Sequence, residues 1–124
     1  FSDCLVENEQ MSRFGNYIKL MWQYPIAVAT TGLHDSIGWK FAEYVAFSRA
    51  IVSERLHYEA PGLESGKHYL EFTTSDECVE RVAKLFSDKS LRDEMMVSNH
   101  QYYEQYLRPD KLVWNALTTA IERS

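Results

Sequence analysis

The chain has 124 residues, 45% of them hydrophobic and 25% charged, and a net charge of −5. That length suits a single domain burying roughly two-thirds of its unfolded surface, and the mix excludes a disordered, collagen-like or disulfide-dense chain. The acidic balance offers no electrostatic footprint for nucleic acid or an anionic membrane. The longest charge-free stretch, Leu20 to Leu33, has 14 residues and is broken by Pro25, so no membrane span is expected.

Cys4 and Cys78 stand outside any CxxC or Cys/His spacing, and the four histidines are scattered. Two free thiols and no metal site are expected. No basic segment leads into an apolar run, so there is no signal-peptide pattern, and a reducing, cytoplasmic setting is the expectation. The sequence starts at Phe1, not Met, which reads as a piece of a longer chain.

The first helical pattern spans about residues 9–23, with Met11, Phe14, Ile18 and Met21 inward, and Pro25 stops it. Ile26 to Thr31 is a continuous apolar run ended by Gly32, the mark of a strand buried on both faces. A second helix is predicted from about Ser36 to Phe47, capped by Asp35 or Ser36. Ala50 to Ser53 reads as a second buried strand, residues 55–67 as a loop, and Tyr69 to Phe72 as a third strand. Thr74 and Glu77 form a capping box for a helix with Val79, Val82, Ala83 and Phe86 inward. Asp88 or Ser90 starts another helix through Leu91, Met95 and Tyr102. Its tyrosines and methionines are expected to pack against the sheet or a partner. Asp110 caps a last helix with Leu112, Val113, Ala116, Leu117, Ala120 and Ile121 inward.

Apolar strands alternating with helices predict an α/β fold: three parallel strands flanked by helices, half of a doubly wound, Rossmann-like domain. The whole chain, 1–124, would then be one partial domain. A three-stranded sheet leaves edges to be covered, by the rest of the chain or by a homodimer.

In such sheets ligands bind at the carboxyl ends of the strands. The first strand runs into Gly32, His34, Asp35, Ser36, Gly38, Trp39, Lys40 and Glu43, and the second ends near Glu54. The N–H groups opening the second helix would favour an anion, with phosphate the natural guess. Asp35 and Glu43 lie eight positions apart, and Ser36, Lys40 and Glu43 share one helix face. Spacing alone reads as a solvated face with a cap and a surface ion pair.

The stretch Asp35 to Ile51, DSIGWKFAEYVAFSRAI, resembles the signature of GT-B glycosyltransferases of the group-1, GT4-like kind. Asp35 stands where that family has its first acid, usually Glu; Gly38 matches its glycine, Lys40 a frequent variant and Glu43 the second acid. Ser65 to Phe72, Asp76 to Asp88 and Leu91 to Met95 resemble its later strand and helices. Ser36, Ser48 and Ala50 depart from the family's Gly, Gly and Pro.

The resemblance implies the C-terminal donor-binding domain of a retaining glycosyltransferase that moves a hexose from a nucleotide-sugar to an acceptor glycan or other acceptor. Asp35 and Glu43 would be the catalytic acids, Glu43 on the ribose and Asp35 on the hexose. Gly32, His34, Ser36, Gly38, Trp39, Lys40 and Glu54 would line the donor. The nucleotide-sugar is a substrate and no cofactor or metal is implied. The acceptor-binding N-terminal domain would belong to the same chain, so the 124-residue piece alone is expected to be inactive. A nucleotide-sugar epimerase and a protein-association module are the alternatives.

Overall fold

A computed structural model describes residues 13–124. Their order is α1 (Phe14–Gln23), β1 (Ile26–Ala29), a 3₁₀ turn (Leu33–Asp35), α2 (Trp39–Ala46), β2 (Ala50–Glu54) and β3 (Tyr69–Phe72). Then come α3 (Ser75–Ser87), α4 (Lys89–Tyr102), a π-turn (Tyr103–Leu107) and α5 (Pro109–Arg123). The strands form one parallel sheet in the order β1-β2-β3, with Val28 beside Val52 and Ser53 beside Glu71. The fold is therefore α/β, a Rossmann-like half, as the apolar strand pattern predicts.

β2 explains the architecture. Ala50, Ile51, Val52 and Ser53 are all at most 1% exposed. Successive side chains of a strand leave opposite faces. Ile51 joins Met21, Phe41, Val45, Tyr69 and Tyr102 on one face, while Ala50 and Val52 join Phe72, Leu85 and Met95 on the other. A strand without alternation thus lies between two apolar layers. Each fully buried Ile, Val or Leu contributes roughly 1.5–3 kcal/mol, which makes this strand the densest source of stability.

Both capping signals before the later helices form. The Glu77 N–H donates to Thr74 Oγ1 at 3.2 Å, and the Leu91 N–H donates to Asp88 Oδ1 at 3.0 Å. Glu77 in turn accepts from both the N–H and the hydroxyl of Thr73, at 2.8 and 2.9 Å. Asn99, fully buried on α4, ties the sheet to its helices. Its Nδ2 donates to the carbonyls of Arg49 and His68, at 2.7 and 2.9 Å.

Several expectations are corrected. β1 closes at Ala29 and is an edge strand with Val28 43% exposed, not a strand buried on both faces. In α1 only Met21 is buried and Phe14 is exposed; Met11 lies outside the described residues, as does Cys4. The second helix begins at Trp39 rather than Ser36. The residues before it take a turn in which His34 and Asp35 are left-handed (φ 56° and 59°), and Gly38 is the N-cap without any side-chain bond. In α3 the inward stripe is Cys78, Val82 and Leu85, while Val79 and Phe86 face outward. α5 starts after Arg108 and buries none of its residues. The Asn115 amide donates to the Gln105 carbonyl at 3.3 Å, and Leu112, Trp114 and Ala116 face the body across a cleft together with Thr118 and Thr119. Leu112, Val113, Trp114, Leu117 and Ile121 are exposed.

Candidate functional site

β1 leaves the sheet through Thr30 and Thr31, at the carboxyl rim where β2 also ends. There Glu54 Oε2 accepts both the Thr31 N–H, at 2.7 Å, and the Thr31 hydroxyl, at 3.1 Å. Bonds to a carboxylate are stronger than neutral ones, so this clasp fixes the start of the turn relative to β2. Glu54, expected to touch a ligand, has one oxygen committed inside the protein.

Beyond the clasp the chain folds back on itself. The Gly32 N–H donates to the Ser36 carbonyl at 2.7 Å. A Cβ on Gly32 would sit 2.8 Å from Ser36 Oγ, and one on Gly38 would sit 3.4 Å from the Thr30 carbonyl. A side chain at Gly32 would thus have to displace the Ser36 hydroxyl, whereas one at Gly38 would meet only ordinary contacts, so the close fold of the turn rests on Gly32. The price is backbone strain at His34 and Asp35, two non-glycine residues in the left-handed region.

α2 then starts beneath this turn. Gly38 is an N-cap without a side-chain acceptor; the Phe41 N–H turns back to the Gly38 carbonyl at 3.1 Å, and the N–H groups of Trp39 and Lys40 are left for solvent or a ligand. Trp39 is 88% exposed and Lys40 is exposed beside it. Glu43, half-buried, projects from the helix and accepts from the Tyr17 phenol at 2.9 Å. Burial first, and the bond to Glu43 second, push the Tyr17 phenol well above the usual tyrosine range, so it stays a donor.

The predicted residues fall into three groups. Gly32, Ser36 and Gly38 are in mutual contact and shape the turn. His34, Asp35, Trp39 and Lys40 are exposed around it. Glu43 and Glu54 are held by partners on other elements, Tyr17 of α1 and Thr31 after β1. No hydrogen bond joins Asp35 to Glu43. Tyr17 and Thr31 lie beyond the reach of sequence pattern: their contacts span 26 and 23 residues and leave no local signal. Among the described residues no His, Cys, Asp and Glu cluster could hold a metal.

Two clefts lie elsewhere. One, about 780 Å³, separates α5 from Pro61, Tyr102 and Tyr106. The other, about 590 Å³, lies under the β2–β3 connection between Leu56 and Tyr69. Neither is lined by residues 32–43 or by Glu54. No described helix is long and apolar enough to cross a membrane. Comparison with family models, curated proteins and solved structures gives no match.

Proposed function

We propose that the chain is the nucleotide-sugar-binding half of a GT-B glycosyltransferase, of the group-1 kind that its Asp35 to Ile51 stretch resembles. The observation that carries this reading is the junction after β1: a glycine-lined turn at the carboxyl rim leads straight into a helix whose first N–H groups have no side-chain cap. Such N–H groups suit the diphosphate of a nucleotide-sugar, where negative charge grows as the glycosidic bond breaks. Glu43 would accept from the ribose hydroxyls with the oxygen that Tyr17 leaves free, since an ionised carboxylate only accepts. Asp35, on the strained turn, would face the hexose. His34, Ser36, Trp39 and Lys40 would border the donor.

In this reading the remainder of the chain supplies the acceptor site and further strands, and the free edge of β1 is where those strands would pair. The 124-residue chain would bind donor without transferring sugar. The test is titration with UDP-, GDP- and ADP-sugars, followed by fluorescence of Trp39 and its neighbours. Saturable binding that Glu43→Ala and Asp35→Ala each weaken at least tenfold supports the reading. Absence of saturation with all three donors, or equal binding by Glu43→Ala, removes it.

A protein-association role is the second reading. It is favoured by the exposed apolar side chains of α5, Val113, Leu117 and Ile121 among them.

A further inference from the structure

The 14 residues joining β2 to β3, 55–68, contain no helix. A parallel crossover usually carries one, which supplies its own hydrogen bonds. This connection is held down instead by His68, which is 3% exposed. Its Nδ1 accepts the Glu64 N–H at 2.9 Å, and its own backbone N–H donates to the Glu64 carbonyl at 3.0 Å. The ring lies 5.1 Å from that of Tyr102 on α4. The Tyr102 phenol reaches past it to donate to the Pro61 carbonyl at 2.9 Å, and Tyr106 stacks on Tyr102 and touches Gly62.

A backbone N–H aimed at Nδ1 fixes the tautomer: the ring proton is on Nε2, and Nδ1 must stay bare. A second ring proton would set two donors face to face. The groups around the ring do little to hold such a charge. Lys67 opposes it and Glu64 favours it from the same loop. From α4 come the neutral Asn99 amide, through the His68 carbonyl, and the Tyr102 phenol; from β3 comes Tyr69. The Arg49 guanidinium, whose backbone shares Asn99, is directed away to the Phe47 and Tyr24 carbonyls.

We propose that His68 is an acid-released latch: proton uptake at Nδ1 expels the Glu64 amide and frees the 55–68 connection from α4 while the sheet stays folded. The proposal stands on the His68 geometry and not on the donor-binding reading. Burial, first, and then Lys67 hold the ring below the ordinary histidine range, so release begins below pH 6.5. Once the ring starts to take up protons, each further pH unit multiplies the open fraction by about ten.

The experiment uses the 124-residue chain, with ring ¹⁵N shifts of His68 and amide exchange of Glu64 followed from pH 7.5 to 4.5. The expected result is an Nε2–H ring at neutral pH. On acidification the Glu64 amide, corrected for intrinsic rate, should lose protection at least tenfold before the amides of β2 do. His68→Gln, whose amide oxygen accepts the same N–H at every pH, should show no such step. An Nδ1–H ring at neutral pH overturns the latch, and so does an equal acid step in His68→Gln. If that variant does not fold, the tautomer and the order of amide release in the wild type decide alone.

Discussion

The two edges of the sheet are finished in opposite ways. On β3 the Phe72 carbonyl turns inward to accept from the Arg55 N–H, so Tyr69 and Glu71 turn their carbonyls outward. Both are covered by the chain itself: the Gly66 N–H donates to Tyr69 at 2.7 Å, and Arg81 Nε of α3 donates to Glu71 at 3.2 Å. On β1 the Pro25 carbonyl turns inward to accept from Ala50, so Ile26 and Val28 turn their backbone groups outward. No described residue covers those of Val28, and its side chain is 43% exposed. β1 has no charge, bulge or internal proline, the devices that usually protect an edge. The contrast teaches that β3 is a true boundary of the fold, whereas β1 has the sequence of an interior strand.

Four substitutions would break or sharpen this contrast. The largest effect is expected at Asn99, which serves the closed side: Asn99→Ala strands two buried carbonyls and should cost about 3 kcal/mol in urea unfolding. Glu54→Ala removes the clasp that holds the end of the open strand. It should cost about 2 kcal/mol, and the Thr31 amide should lose exchange protection. Arg81→Ala uncovers one carbonyl on the β3 edge and should cost about 1 kcal/mol by the same measurement. Val28→Lys should change stability by less than about 0.5 kcal/mol while lowering self-association in sedimentation, because a charged edge resists strand addition. A loss of 2 kcal/mol or more at Val28→Lys would mean that the edge is already covered, and the contrast would fail.

The sequence made β2 legible because burial on two faces removes alternation, and a run such as Ala50 to Ser53 can mean little else. The same inference overshot at β1. Residue pattern reports what a strand is suited to touch, and Val28 is suited to an interior that residues 13–124 do not supply. For α3 periodicity points to Val79, Val82, Ala83 and Phe86, of which only Val82 packs inward, beside Cys78 and Leu85. The helix is fixed in rotation by the Thr74 cap and by Arg81 reaching the Glu71 carbonyl, neither of which hydrophobic periodicity encodes. For α5 the periodicity located an apolar side without saying what would lie against it. At the candidate site the glycines and the acids were readable as a motif. The Tyr17–Glu43 and Thr31–Glu54 bonds were not, because they depend on how α1 and β1 come to rest against α2 and β2.

Asn99 has a consequence for how the molecule assembles. The two carbonyls it holds belong to Arg49 and His68, the residues immediately before β2 and β3. A single rigid amide therefore gauges where both strands begin. Slippage of either strand by one residue would turn the wrong backbone group towards α4, and the helix could not seat. The C-terminal helical segment thus proofreads strand alignment, so correct pairing of the sheet and docking of α4 should arrive as one cooperative event.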